Sequence, residues 1–155
     1  MPNWCSNYLT VVGNSNDIKK FIDDVSSKDD CFDFEKIRPT PPELLEKNTF
    51  PPNDGWYSWR LANWGTKWSP DTENDWNVTG ELAGLNFETA WGPPCEMIQY
   101  LSDKYQNLDF HMQWVEPGMA IVGEQSGIGI SEYDWDSEAG LKIREEFGYA
   151  EDDSF

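Results

Sequence analysis

Residues 85–114 read LNFETAWGPPCEMIQYLSDKYQNLDFHMQW, and this stretch decides the fold. Leu85, Phe87, Thr89 and Trp91 share one parity and stop at Gly92, the pattern of a strand with one buried face. Pro93 and Pro94 suit the first turn of a helix, whose buried side is marked by Ile98, Leu101 and Tyr105. Leu108, Phe110, Met112 and Trp114 then alternate as a second strand. Strand, helix and strand in close succession predict a βαβ-type unit.

Working outward, Tyr8 to Val12 is β-branched and aromatic and ends at Gly13, a first strand. Asn14 to Asp17 supplies N-cap residues, and Ile18, Phe21, Ile22 and Val25 follow on one helical face, with Lys19, Lys20, Asp23 and Asp24 opposite. Phe32 and Phe34 alternate with Asp33 and Glu35 before Ile37, predicting a second strand that Pro39, Pro41 and Pro42 halt. Residues 39–80 exceed an ordinary connection and are expected to be an ordered insertion with a short helix near 42–47. Beyond 114, Glu116-Pro117-Gly118 marks a turn and Met119 to Val122 a returning strand. Ile128 and Ile130 add a short sixth strand, Ile143 and Phe147 mark a helix within 137–147, and residues 150–155 are expected to fray.

The element order predicts an α+β, ferredoxin-like split βαβ sandwich, an antiparallel sheet with two main helices on one face. Residues 1–125 would form the domain, with 39–80 as a Trp- and Pro-rich insertion lying over the other sheet face. Residues 126–155 would be an acidic C-terminal extension, packed on or following the same domain.

With 155 residues and 15% aromatic side chains, the chain can bury a core of its own. It carries 29 acidic and 11 basic residues, for a net charge of −18. That balance disfavours direct binding to nucleic acid or an anionic membrane and points to basic macromolecular partners, though acidity also serves plain solubility. Residues 1–115 hold 18 acids and 9 bases, and residues 116–155 hold 11 and 2, so half the net charge sits in the last quarter. Cys5, Cys31 and Cys95 form no CxxC pair, which argues for buried thiols in a reducing cytosol and against a disulfide framework, a zinc site or an iron–sulfur cluster. No cofactor is expected. No apolar run reaches the length of a membrane span, and the first residues lack the pattern of a secretory signal, so a cytoplasmic protein is expected.

Five of the nine tryptophans, Trp56, Trp59, Trp64, Trp68 and Trp76, crowd one stretch of the insertion. Within it, Asn63, Trp64, Gly65, Thr66, Lys67 and Trp68 run consecutively. With Asn3, Trp4 and Trp91 they admit two readings. One is a ligand pocket, in which indoles stack a base and Lys67 meets a phosphate; stacking contributes roughly 1–3 kcal/mol per base. The other is a structural plug, with Asn63 capping a turn, Gly65 supplying an unusual backbone angle and Lys67 resting over an indole.

Other candidates carry less chemistry. His111, the single histidine, has opposite parity to Phe110 and Met112 and no partner named by the sequence, so it reads as a solvent-facing strand residue. Cys95 opens a helix, where a thiolate is favoured, and Cys5 adjoins Trp4, yet both suit small buried hydrophobes. Gly123, Gly127 and Gly129 match no phosphate-binding loop and read as turn glycines. Glu132, Asp134, Asp136 and Glu138, with Glu151 to Asp153, lack calcium-loop spacing. Interleaved with Tyr133 and Trp135, these acids read either as a row of charge mimicking duplex phosphates or as a solvated edge that blocks aggregation.

Several pieces together resemble a known family. Met1-Pro2-Asn3-Trp4-Cys5 with Asn7 and Leu9, then Phe34, Lys36-Ile37 and Pro39, then Asn63 to Trp68, Thr89-Ala90-Trp91 with Pro93-Pro94, and Glu116 to Met119 occur in this order in the YubB-type ferredoxin-like domain family of phages and conjugative plasmids. The resemblance covers residues 1 to about 125 and implies a mobile-element accessory protein in the bacterial host cytosol, with no catalytic residue carried over. It favours an inhibitor of a basic, nucleic-acid-handling or defence protein, with Glu132, Tyr133, Asp134, Trp135, Asp136 and Glu138 at the interface. The alternative is a module that binds or sequesters a nucleotide at Asn3, Trp4, Asn63, Trp64, Thr66, Lys67, Trp68 and Trp91. A hydrolase built on paired carboxylates has no supporting spacing.

Overall fold

The computed structural model describes residues 3–45 and 55–149. Strand β1 (Trp4–Val12) runs down the middle of a six-stranded antiparallel sheet. Its neighbours are β3 (Leu82–Ala90) and β4 (Asp109–Glu116), paired through Leu9↔Leu85 and Leu9↔Met112. Strand β2 (Asn77–Thr79) closes one edge against β3. On the other side β5 (Ile121–Ser126) and β6 (Gly129–Tyr133) extend the sheet, giving the order β2-β3-β1-β4-β5-β6. The first four strands in that order, with helix α1 (Ser15–Val25) after β1 and α5 (Cys95–Lys104) after β3, are the expected plait.

Helices α1 and α5 form because each offers an apolar stripe to one face of the sheet. Ile18, Phe21 and Val25 point inward from α1, and Met97, Ile98 and Leu101 from α5. Asn14 caps α1 through a 2.8 Å bond from the Asn16 amide. Between these helices and the sheet, Phe21 meets Trp76, Tyr105 and Phe110 edge-on at centroid distances of 5.6, 5.2 and 5.4 Å, the favoured geometry for aromatic pairs.

Two expectations need correction. Phe32 and Phe34 do not belong to a strand. Asp33 accepts bonds from the amides of Glu35 and Lys36 and starts a single helical turn, α2 (Phe34–Ile37), while both phenyl rings are buried in the core. The alternation is real but reports two rings flanking a cap. The second strand is instead β2, joined to β3 by a turn at Gly80, whose φ of +61° suits glycine.

The Trp64 part of the insertion also lies on the other side from that expected, whereas residues 71–74 border the opposite sheet face. The insertion holds helices α3 (Pro42–Leu45) and α4 (Trp56–Asn63), and the remainder of the helix expected near 42–47 falls outside the described residues. Trp64 is fully buried and joins the same core as α1 and α5. The face behind the sheet carries the C-terminal helix α6 (Glu138–Glu146), which packs Ile143 on Val115 and Val122. Glu151 to Asp153 and the expected fraying at 150–155 also lie outside the described residues.

Candidate functional site

The Trp-rich motif gathers residues from several elements. Trp64 packs edge-on against Phe34 and donates from its indole to the Arg38 carbonyl at 3.0 Å. Asn63 bonds the Trp59 carbonyl at 2.8 Å through its amide nitrogen and accepts from Arg38 at 2.7 Å through its oxygen. Gly65 sits at φ +86°, and a Cβ there would fall 3.0 Å from the Cys95 amide nitrogen. Thr66 is buried, its hydroxyl bonded to the Ala90 carbonyl at 3.0 Å. The Trp4 and Trp68 rings lie 6.2 Å apart. Asn3 accepts the Trp91 amide at 2.7 Å, and its carboxamide fills the space beside Gly118. Pieces scattered from residue 3 to residue 118 therefore meet at one place.

Trp64 and Thr66 are thus committed to the interior. Lys67 stays half-buried, with its ammonium 4.6 Å from the Trp68 ring and 5.5 Å from Tyr57. Trp91 is 45% exposed and holds a positive φ of 73°, unusual for a bulky side chain.

The acidic candidates span the end of β6, a turn in which the Ser137 amide meets the Asp134 carbonyl at 3.1 Å, and the start of α6. Glu132, Asp134, Asp136 and Glu138 are exposed, and Tyr133, Trp135 and Ser137 between them are half-buried. Tyr133 and Trp135 are partly buried and pack against the Val115, Val122 and Ile143 cluster. Arg144 lies 4.5 Å from the Trp135 ring and, though almost wholly buried, approaches only within 3.9 Å of Asp136. Ser137 caps α6 at the Gly140 amide, and Glu138 in the first turn favours the helix dipole.

Two clusters escape a reading of the sequence. His111 has partners after all: Nδ1 lies 2.9 Å from the Ser126 hydroxyl and Nε2 3.3 Å from Glu124, whose other oxygen accepts a 2.5 Å bond from Tyr133. These side chains meet because β4, β5 and β6 are in register, which no local pattern reveals. The second cluster lines the sheet face behind the main helices. There the end of α6 and the 71–74 segment flank two adjoining clefts of about 170 and 260 Å³, with Ser6, Tyr8, Asn86, Glu88 and Gln113 as the floor. Asp71 and Glu88 exchange two 2.9 Å backbone bonds across one edge.

The thiols are quiescent. Burial first, then the charges of Glu96 and Glu132, pushes Cys95 up to about 12, so its position at a helix start does not favour the thiolate. Burial also pushes Cys5 well above the ordinary thiol range. All three cysteines are free. Among the described residues no cluster of His, Cys, Asp or Glu has the geometry of a metal site, and no helix is long and apolar enough to cross a membrane.

The family model described as "ferredoxin-like domain in Api92-like protein" matches residues 63–153, more than half the chain. The matched range includes residues 126–153, beyond the part covered by the resemblance to the YubB type. No curated protein and no solved structure matches the chain.

Proposed function

The chain belongs to the family of the ferredoxin-like domain in Api92-like proteins, and from that premise we propose that it acts by binding, as a phage or plasmid accessory protein that occupies the basic, nucleic-acid-binding surface of a host protein. The observation that carries this reading is the alternation from 132 to 138, four carboxylates outward and two rings inward. The packing of Tyr133 and Trp135 beneath this segment reduces the backbone freedom lost on binding, which raises affinity without new contacts. The surrounding net charge of −18 steers a cationic surface toward it and accelerates encounter. An inhibitor of a host defence or DNA-processing protein fits this chemistry, because such proteins present grooves built for phosphate.

The test is a tagged pull-down from nuclease-treated host lysate, comparing the wild type with a variant carrying lysine at 132, 134, 136 and 138. Capture of a basic nucleic-acid-binding protein by the wild type, weakening as salt rises and lost in the variant, supports the reading. Equal capture by both overturns it. A second reading rests on the Lys67 ammonium between Tyr57 and Trp68: a nucleotide stacked there. In that case Lys67→Ala abolishes nucleotide binding, and the lysine row leaves it unchanged.

A further inference from the structure

The four side chains that meet across β4, β5 and β6 run in sequence from a hydroxyl to a carboxylate. The Ser126 hydroxyl lies 2.9 Å from His111 Nδ1, and Glu124 lies 3.3 Å from Nε2 on the other side of the ring. Tyr133 donates to the second Glu124 oxygen, which holds that carboxylate in place. The carboxylate favours the tautomer with its proton on Nε2, and Nδ1 is then the acceptor facing the Ser126 proton. Nucleophilic catalysis needs this arrangement of hydroxyl, base and orienting acid. We propose that Ser126 is an activated nucleophile that takes an acyl group from a neutral ester, with His111 as its general base. This activity is separate from the binding reading above and does not depend on it.

The surroundings of Ser126 suit that role. Ser126 and His111 border a cleft of about 410 Å³, with Val12 and Leu108 as apolar wall. Ser126 is exposed at the end of β5, so its hydroxyl is open to a substrate. Gly127 follows at φ +59°, and a Cβ there would crowd the Ser102 hydroxyl at 3.3 Å. The Thr10 and Ser102 hydroxyls line the same cleft and are its donors for the oxygen that becomes negative. Asp109 in the lining and the net charge of −18 disfavour an anionic acyl donor, which leaves neutral esters. The His111–Glu124 contact is partly exposed and adds little to stability, so holding the sheet together does not account for it. In the reaction, Ser126 Oγ bonds to the carbonyl carbon as its proton passes to Nδ1, and Glu124 stabilises the imidazolium. The C–O bond to the alcohol then breaks, and the alcohol leaves with that proton. A water deprotonated by the same nitrogen attacks the acyl carbon, releasing the acid and restoring Ser126.

The experiment incubates the full chain with an alkyl fluorophosphonate, which loses fluoride to an activated serine, and maps the adduct by mass spectrometry. Expected is one phosphonyl group on Ser126, absent from Ser126→Ala and formed roughly a hundredfold more slowly in His111→Gln. Glu124→Gln should slow labelling roughly tenfold or more and alter the imidazole ¹⁵N shifts that report the tautomer, which a merely structural carboxylate leaves unchanged. Wild type should hydrolyse p-nitrophenyl acetate, and Ser126→Ala should fall to the background rate. Amide spectra check that each variant is folded; should one lose its fold, the wild-type adduct and the wild-type imidazole shifts decide alone. No adduct, an adduct on another residue or an equal labelling rate in a folded His111→Gln would each overturn the site. None of these readouts involves residues 132–138, which the pull-down judges separately, so either proposal can fail alone.

Discussion

The Tyr105 hydroxyl donates a 2.7 Å hydrogen bond to the Asp24 carboxylate, tying the end of α5 to the last turn of α1. That bond is the largest cause of a depressed Asp24 pKa, with Lys20 contributing as well. A carboxylate depressed in the folded state stabilises the fold above its unfolded pKa, and the benefit is lost as pH falls through the folded value. Tyr105→Phe should therefore lower stability by about 1 kcal/mol at neutral pH. The difference from the wild type should shrink toward zero as pH falls through the depressed Asp24 value. Urea unfolding of both proteins across that range checks it.

Trp64→Ala should be among the most damaging substitutions in the chain, at about 3–5 kcal/mol. The indole is fully buried, touches Phe34 and Trp59 edge-on and loses its bond to the Arg38 carbonyl. A cost below about 1 kcal/mol by denaturant unfolding would mean that the insertion is peripheral to the core.

For Glu88 the sign is the reverse of that for Asp24. Its folded pKa is raised by burial and by Asp71 and Glu73. Stability is therefore fully present below the ordinary carboxylate value and declines as pH rises through the raised one. Glu88→Gln should melt at a higher temperature than the wild type at about pH 7 and at the same temperature near about pH 3. Melting curves at the two pH values decide the matter.

Trp91→Gly should raise stability by roughly 1 kcal/mol, because a β-carbon in the left-handed region is strained and glycine is not. The indole is 45% exposed, so little burial is lost in exchange. An unchanged or lower denaturation midpoint would show that the ring's contacts outweigh the backbone strain.

Cys95 should resist alkylation by iodoacetamide at about pH 8, since its thiol is held near 12 and little thiolate forms. Labelling followed by mass spectrometry should show it reacting only when the chain is unfolded.

Much of the fold was legible because its main elements each bury one face. The stripe Ile18, Phe21, Val25 and the alternations around Leu85 and Phe110 report directly on α1, β3 and β4. Strand β2 was not legible. All three of its residues are exposed at the sheet edge, so they carry no apolar signature, while Phe32 and Phe34 imitate one. At the candidate sites, the acidic row could be read as charge, but the inward packing of Tyr133 and Trp135 depends on α6 crossing the back of the sheet. Glu88 could be placed on the solvent face by its parity against Phe87. Its partner Asp71 arrives from seventeen residues earlier through a bridge that local periodicity does not encode.

The central position of β1 has a consequence for synthesis. Its first partner, β3, lies at least seventy residues further along, beginning with the Val12↔Leu82 pair. At ribosomal rates of about 5–20 residues per second, β1 waits roughly 4 to 14 s with both edges unpaired. Helix α1 can form early, but the sheet cannot begin at its own centre until most of the chain has been made. The nascent protein thus spends its longest vulnerable interval with its most apolar strand open to any passing edge.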